Sequence, residues 1–145
     1  MHPVHQVIED LESSYQWLRN SLRDNNIARV GTYSKKEPLM LVIHDESHRK
    51  IAGLYGYQSL GVFFIDLLWV DPAFRSKGLG ARLLKAAEDH AKKHHVLYVR
   101  LETASFQSPD FYIKHGYEVF AKLPLLIEGE EQHYNYYLIK YLKLQ

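Results

Sequence analysis

The chain has 145 residues, 46% of them hydrophobic and 24% charged, a length and composition typical of one globular domain that exclude disordered, collagen-like and fibrous classes. It contains no cysteine, which excludes disulfides, thiolate zinc sites, iron–sulfur clusters and a cysteine nucleophile. The length predicts a single domain over residues 1–145. Because the formal net charge of +1 gives no field to attract a polyanion, we expect no nucleic-acid partner.

The N-terminal residues show no targeting pattern. Residues 1–6 contain no basic region followed by an apolar run. The sequence nowhere reaches the roughly 18 uninterrupted apolar residues that suggest a membrane-spanning helix. We therefore expect a cytoplasmic protein without a membrane partner.

A first helix is predicted from apolar residues that recur every three or four positions between residues 7 and 22. Its start is open, because residues 4–8 could instead form a short strand that precedes the helix. The pair Asn25 and Asn26 is expected to end it. Residues 31–38 are polar and are predicted to form a loop.

The next part of the chain is predicted to be an antiparallel meander. Apolar runs at residues 39–44, 51–57 and 62–70 are typical of strands, and the polar residues 45–48 supply a turn between the first two. The third run stops at Pro72, which cannot continue a ladder of backbone hydrogen bonds.

After Pro72 the hydrophobic period becomes helical. Apolar residues at positions 79, 83, 84, 87 and 91 share one helix face, and the pattern continues to about His94. Residues 95–103 are again rich in β-formers. The order strand, helix, strand requires parallel pairing through a right-handed crossover.

The last third of the chain is predicted to hold a short helix at residues 109–115 and strands at 117–122 and 134–142, with a loop at 123–133. The predicted fold class is therefore α/β (α+β), a mixed and mostly antiparallel sheet with a central βαβ unit.

Two glycines and two cations lie where the third predicted strand passes into the long helix. The first turn of a helix has backbone N–H groups without intrahelical partners and the positive end of the helix dipole, so it attracts anions. Gly78 and Gly80 would let a diphosphate approach these groups, while Arg75 and Lys77 add positive charge.

Two common phosphate motifs do not fit this segment. A P-loop needs its lysine after the last glycine, followed by Ser or Thr, whereas Lys77 precedes both glycines. A dinucleotide fingerprint needs a third glycine, but Leu83 stands where that glycine should be, and a meander precedes the segment.

The pattern R-x-x-G-x-G over residues 75–80, after a strand that ends in Val-Asp-Pro, resembles motif A of the GNAT superfamily of acyl-CoA-dependent N-acetyltransferases. Residues 111–118, Phe-Tyr-Ile-Lys-His-Gly-Tyr-Glu, are similar to motif B of the same family, one helix and one strand downstream. The resemblance implies the GNAT fold, with helices on both faces of a sheet whose fourth and fifth strands splay apart.

The resemblance also implies a site for acetyl-CoA as co-substrate. Coenzyme A would lie in the splay, with its pantetheine amides paired to the exposed main chain of Leu68 and Val70 and its pyrophosphate on the N–H groups of residues 77–81 at the helix start. The implied cofactor-binding residues are Leu68, Trp69, Val70, Arg75, Ser76, Lys77, Gly78, Leu79, Gly80 and Ala81.

Motif B implies that Tyr112 protonates the departing thiolate or holds it by a hydrogen bond. An ordinary phenol, with a pKa of about 10, is nearly matched to a thiol for this transfer. The N–H of Val70 or of a neighbour is the predicted oxyanion donor. Glu102 is the preferred candidate for the base, with Asp66, Asp71 and a water relay as alternatives.

Three candidate residues have simpler interpretations. Asp66, inside an apolar strand, must be paired or solvated, since an isolated buried carboxylate is costly; the favoured role is structural pairing, with Arg100 on the neighbouring strand as a candidate partner. His90 and His94 are four residues apart on the helix, but no carboxylate at a matched spacing joins them, so we predict no metal site.

The predicted function is transfer of an acetyl group from acetyl-CoA to a primary amine of a small molecule or protein, by direct attack in a ternary complex. The alternative is a sensor or interaction module that binds acyl-CoA without catalysis. The acceptor would be selected by the loops at residues 31–38 and 123–133. A Tyr-rich last strand, residues 134–137, could mediate a homodimer contact.

Overall fold

The computed structural model describes residues 1–32 and 35–143, and these residues group into two compact units that divide between Lys35 and Lys36. Two residues of the predicted loop 31–38, Tyr33 and Ser34, lie outside the described residues. The prediction of one domain over the whole chain stays a prediction.

The N-terminal unit contains one helix, α1 (Leu11–Val30). It begins where the Asp10 side chain accepts a hydrogen bond from the Ser13 N–H, and it ends at Gly31, whose φ of 76° only glycine adopts readily. Neither alternative for the start is correct, because the helix does not begin at residue 7 and residues 4–8 form no strand, and the predicted end at residues 25 and 26 is also wrong. Asn is only mildly unfavourable inside a helix, so a glycine five residues later sets the end.

The C-terminal unit is built on six strands: β1 (Glu37–His44), β2 (Lys50–Ser59), β3 (Val62–Val70), β4 (Tyr98–Ala104), β5 (Glu118–Leu125) and β6 (His133–Tyr141). Their order in the sheet is β1-β2-β3-β4-β6-β5. Only β3 and β4 pair in parallel, and every other neighbouring pair is antiparallel. The predicted mixed, mostly antiparallel sheet is confirmed.

Helix α2 (Leu79–Lys93) connects β3 to β4, after a short 3₁₀ turn at Pro72–Phe74, and helix α3 (Pro109–Lys114) connects β4 to β5. The predicted βαβ unit is thereby confirmed. Strand β4 begins at Tyr98 rather than at residue 95, because His95 takes a positive φ of 57° in the turn that leaves α2. Among the described residues, no helix is both long enough and apolar enough to cross a membrane.

The hydrophobic core lies between α2, α3 and one face of the sheet. Phe63, Leu84, Val99 and Leu138, each at most 1% exposed, bring α2 into contact with the centre of the sheet. Phe111 of α3 packs against the same cluster. Both helices of this unit therefore lie on the same face, and a helical layer on the other face stays a prediction.

Strands β3 and β4 separate part of the way along their length. They pair only from Val62 with Tyr98 to Ile65 with Leu101. Just beyond that point the register of β2 with β3 skips Asp66, so Asp66 is the extra residue of a β-bulge. Before the bulge, the odd-numbered side chains Phe63 and Ile65 face the core, and after it the even-numbered side chains Leu68 and Val70 do so. Beyond the bulge, β3 and β4 leave a gap between their carboxyl ends.

Gly56 is the residue of β2 that lies opposite this bulge, and we expect Gly56→Ala to destabilise the fold. A Cβ at Gly56 would lie 2.6 Å from the Phe64 carbonyl oxygen and 2.7 Å from the Phe63 ring. Overpacking of this kind costs about 2–3 kcal/mol of unfolding free energy. Thermal and urea unfolding measure the loss.

The control for this substitution is Gly53→Ala on the same strand. A Cβ there would meet only the Leu41 carbonyl oxygen, at 3.2 Å. We expect a clearly smaller loss of unfolding free energy from Gly53→Ala, and equal losses from the two variants would contradict the proposed crowding at Gly56.

Candidate active site

A cavity of about 820 Å³ occupies the gap between β3 and β4. Its wall includes the separated ends of the two strands, the start of α2 and one side of α3. This volume is within the usual range for a small-molecule site, and the gap between parallel strand ends is a usual place for one. Four structural elements, β3, β4, α2 and α3, therefore face one space.

The main chain of β3 presents unpaired polar groups to this cavity. The Asp71 N–H donates to the Ile51 carbonyl at 2.8 Å, so the polar groups of Asp71 point toward β2. Because these groups alternate along a strand, those of Val70 and Leu68 point away from β2, toward the gap. No strand pairs with β3 on that side beyond Ile65.

Arg75 closes one end of the exposed strand edge. Its Nε donates to the Val70 carbonyl oxygen at 3.0 Å. The guanidinium is therefore held beside the cavity, while the Val70 N–H is left without a described partner. Since an amide N–H that faces a cavity can donate to a ligand, Val70 has the geometry expected of the predicted oxyanion donor.

The first turn of α2 is uncapped. Gly78 is the N-cap residue with a φ of 77°, it has no side chain to accept a hydrogen bond, and the first turn contains no acidic residue. The first α-helical hydrogen bond runs from the Arg82 N–H to the Gly78 carbonyl at 3.1 Å. The amides of residues 79–81 consequently remain available to an anion.

The two motif glycines serve different physical purposes. A Cβ at Gly78 would meet nothing within 4 Å, so glycine is needed there for its backbone conformation. A Cβ at Gly80 would lie 3.3 Å from Cζ of Phe111 on α3. Gly80 therefore makes room for α3, and close approach of a diphosphate to the two glycines stays a prediction.

Ten cofactor-binding residues were predicted, and nine of them line the cavity. The exception is Lys77, whose Nζ lies 5.2 Å from the centroid of the Phe74 ring. Ser76, beside it, takes a left-handed φ of 64°. The Lys77 side chain thus lies against its aromatic neighbour and not in the cavity wall.

Tyr112 lines the cavity from α3 and is 8% exposed. Its ring packs nearly perpendicular to the rings of Phe111 and Tyr117, with centroids 5.1 and 5.8 Å away. No hydrogen bond among the described residues uses its hydroxyl. Burial raises the pKa of Tyr112 to about 12, because the phenolate would lose its hydration.

Glu102 and Asp66 both line the cavity and are exposed. Glu102 alternates along β4 with the buried Leu101 and Thr103, so it lies on the sheet face opposite α2 and α3. Its Oε1 accepts a hydrogen bond from the Asn135 side chain at 3.2 Å. The Glu102 carboxylate and the Tyr112 phenol therefore line the cavity from opposite faces of the sheet.

The predicted ion pair between Asp66 and Arg100 is wrong. Arg100 lies over the Phe64 ring instead, with Cζ 5.0 Å from the ring centroid, and the ion pairs of the described residues do not include Asp66. Asp71, a third candidate base, accepts a hydrogen bond from the Ala73 N–H at 2.9 Å and lies outside the cavity wall. It caps the 3₁₀ turn.

Sequence reasoning missed the loop that joins β4 to α3. Phe106 and Gln107 line the cavity, and the Gln107 Oε1 accepts hydrogen bonds from the Ala104 N–H at 2.8 Å and the Thr103 hydroxyl at 3.2 Å. A position directly after a parallel strand was the available signal, since such loops commonly carry binding residues.

The described residues contain no group of three or more His, Asp or Glu side chains that could hold a metal ion. The His90 and His94 rings stack with centroids 4.2 Å apart, and Nδ1 of His94 lies 2.8 Å from the His90 carbonyl oxygen. These contacts belong to the end of helix α2.

Residues 4–117 match the sequence profile of the acetyltransferase (GNAT) family. The fold and the cavity define an acyltransferase of this type, and the chain belongs to the GNAT family. It is accordingly an acyl-CoA-dependent N-acyltransferase, as the two sequence motifs predicted.

Three relatives illustrate the similarity. Blasticidin-S acetyltransferase of Streptomyces morookaense is 38% identical over 82 residues, which are 56% of this chain and 60% of that protein. A crystal structure of a Bacillus cereus acetyltransferase superposes with a TM-score of 0.82 at 27% identity, covering 97% of this chain and 98% of that one. A streptothricin acetyltransferase of Bacillus anthracis in complex with acetyl coenzyme A has a TM-score of 0.64 at 20% identity, over 75% and 65% of the two chains.

Burial of Tyr112 predicts that its phenol ionises at a higher pH, and so later in an alkaline titration, than an exposed tyrosine does. In an alkaline titration followed by tyrosinate absorbance, Tyr112 and Tyr117 should ionise after the exposed tyrosines, because burial raises both pKa values. Tyr112→Phe should remove one tyrosinate from the late phase. Tyr141→Phe, at a residue 73% exposed, should remove one from the early phase. An early loss from Tyr112→Phe would contradict the burial.

Proposed function

We propose that this protein transfers an acetyl group from acetyl-CoA to a primary amine of a small molecule or protein, by direct attack within a ternary complex. One observation carries the proposal: a single cavity is lined by the unpaired edge of β3, the uncapped start of α2 and the ring of Tyr112. An anion site, a strand-like docking edge and a polar hydrogen-bond donor are the elements that this transfer needs.

The cavity fits a nucleotide-tailed thioester. The amides of residues 79–81 would hold the pyrophosphate, with Arg75 supplying a nearby positive charge. The main-chain N–H and C=O of Leu68 would pair with the amides of the pantetheine arm as an added strand, beside Val70, whose carbonyl oxygen is held by Arg75. These contacts use mainly backbone atoms, and acetyl-CoA would supply an activated acetyl group as its thioester.

The residues around the gap support direct attack by an amine. The Val70 N–H would donate to the carbonyl oxygen as negative charge develops on it. The amine nitrogen forms the new bond to the acetyl carbon, and the carbon–sulfur bond breaks. The proton lost by the amine passes to Glu102 or to water.

Tyr112 would stabilise the departing thiolate by donating a hydrogen bond. A phenol whose pKa is about 12 is a much weaker acid than a thiol, whose ordinary pKa is about 8.5. Burial therefore removes the near match expected of an ordinary tyrosine, and complete proton transfer from Tyr112 is uphill. The thiolate then takes its proton from solvent.

The acceptor amine would reach the gap near Glu102 and Asp66. Two exposed carboxylates in the cavity wall favour a cationic amine, and the first relative described above is named for a blasticidin-S substrate. A cytoplasmic location and a homodimer through β6 stay predictions.

Release of free thiol from acetyl-CoA tests the function with blasticidin S, spermidine and a peptide with a free N-terminus as acceptors. We expect turnover with at least one of these amines. Tyr112→Phe should lower kcat about 10- to 100-fold, the value of one hydrogen bond to a charged group, about 1.5–3 kcal/mol. In the wild-type enzyme Tyr112 stays protonated to about pH 11, so ionisation of its phenol should not lower the rate between neutral pH and pH 10.

The control for this test is Phe120→Leu, at an exposed residue of β5 outside the cavity, which should leave kcat unchanged. A protein that acetyl-CoA stabilises against heat, but that acetylates none of the amines and is unaffected by Tyr112→Phe, would be an acyl-CoA sensor instead.

Glu102→Gln tests the assignment of the base. The glutamine keeps the size and the hydrogen bond from Asn135 but cannot accept a proton at neutral pH. We expect kcat/KM for the amine to fall about 100-fold, within the usual range for general base catalysis. Asp66→Asn is the matched variant. A larger loss from Asp66→Asn would transfer the role to Asp66, and small losses from both would favour a water relay.

A further inference from the structure

An ion pair between a buried carboxylate and a half-buried ammonium joins α2 to β6. Glu88 on α2 is 7% exposed, and its Oε1 and Oε2 lie 2.5 and 3.3 Å from Nζ of Lys140 on β6. A buried carboxylate is costly without a partner. Glu88 thus holds the Lys140 ammonium in one position.

The Lys140 ammonium has a third partner on α3. Its Nζ donates to the His115 carbonyl oxygen at 2.8 Å. His115 is the C-cap residue of α3, where carbonyl groups have no intrahelical donor. One ammonium therefore links three elements: α2, which starts at the proposed anion site, β6, and α3, which carries Tyr112.

The side chain of Lys140 reaches this position because residue 116 is glycine. A Cβ at Gly116 would lie 3.3 Å from Cε of Lys140, and its φ of 91° favours glycine in any case. The ring of Tyr117 lies below the ammonium, with its centroid 5.6 Å from Nζ, and packs on Tyr112 in turn. Two residues of the motif B pattern therefore adjoin the Lys140 side chain: Gly116 leaves space for it, and the Tyr117 ring lies against its ammonium.

We infer that Lys140 is a positioning residue for the proposed reaction: by holding the His115 carbonyl, it fixes the end of α3 and keeps Tyr112 at the cavity wall. The inference rests on the proposed function, in which Tyr112 hydrogen-bonds the departing thiolate. Helix α3 has only six residues, so one turn lies between the Lys140 contact and Tyr112. A shift at His115 consequently moves Tyr112.

The test separates this positioning role from simple stabilisation. The double variant Glu88→Leu with Lys140→Met removes both charges together, so no unpaired charge remains in the core and the fold should be kept. It also removes the donor to the His115 carbonyl. We expect kcat to fall about tenfold or more, with the KM for acetyl-CoA within about twofold of wild type, because small displacements at a reacting group lower the rate strongly.

Glu88→Gln is the matched control. It removes one charge but leaves Lys140 able to donate to the His115 carbonyl. We expect it to lower the unfolding temperature more than the double variant does, because Lys140 then lacks its counter-charge, while kcat stays close to the wild-type value. If kcat follows the unfolding temperature across these variants, Lys140 acts only on stability and the inference is overturned.

The same variants in the Tyr112→Phe background show whether Lys140 acts through Tyr112. The Glu88→Leu, Lys140→Met change should cause no further loss of kcat once the Tyr112 hydroxyl is gone. An undiminished loss in that background would overturn the inference while leaving the proposed function intact. If Tyr112→Phe alone leaves kcat unchanged, the role of Tyr112 in the proposed function fails and the inference fails with it.

Hydrogen exchange tests the contact without any acceptor. The amides of residues 115, 116 and 117 close the last turn of α3 by hydrogen bonds to the carbonyls of Tyr112 and Ile113. In the double variant these amides should exchange about tenfold faster or more, since local opening becomes easier. Unchanged exchange would show that Lys140 does not hold α3, even if none of the amines is acetylated.

Discussion

The separation of β3 from β4 after four paired residues is the constraint on which the site depends. A sheet that stayed paired would use the N–H and C=O groups of Val70 and Leu68 in its own ladder. The extra residue at Asp66 bends β3 and ends the pairing, and Gly56 on β2 leaves room for this bend. The main chain left unpaired is the edge on which the proposed cofactor would bind, since backbone polar groups need partners.

The two helices of the C-terminal unit keep this gap open in a defined shape. Gly80 allows Phe111 to approach α2 closely, and Lys140 ties the end of α3 to Glu88 on α2. The start of α2 and the ring of Tyr112 are thereby held against the same core. Short, sequence-local motifs thus depend on contacts with residues that are far away in the chain.

Much of the fold could be predicted from hydrophobic periodicity and turn residues. Strand β3 matches its predicted bounds, and the βαβ order required the parallel pairing that the structure shows. The end of α1 was missed because two asparagines suggested a stop that Gly31 provides instead. Local propensities are weak, and a residue that must adopt a positive φ outweighs them.

The sequence predicted which residues line the cavity where their position follows from the main chain, but it did not predict the contacts of long charged side chains. Nine of the ten predicted cofactor-binding residues line the cavity, since a strand end and a helix start determine where backbone groups point. Lys77 turned toward Phe74, and Arg100 stacked on Phe64 rather than pairing with Asp66. Long charged side chains can reach several partners, and sequence spacing does not choose among them.

The sequence by itself determined the family, the order of strands and helices, and the glycines and tyrosine of the two motifs, because all of these follow from local pattern and spacing. Only the tertiary structure decided that Asp66 is the bulge residue, that burial raises the pKa of Tyr112 to about 12, and that Lys140 reaches α3. Register, burial and long-range ion pairs arise from packing between distant segments, which no local pattern records.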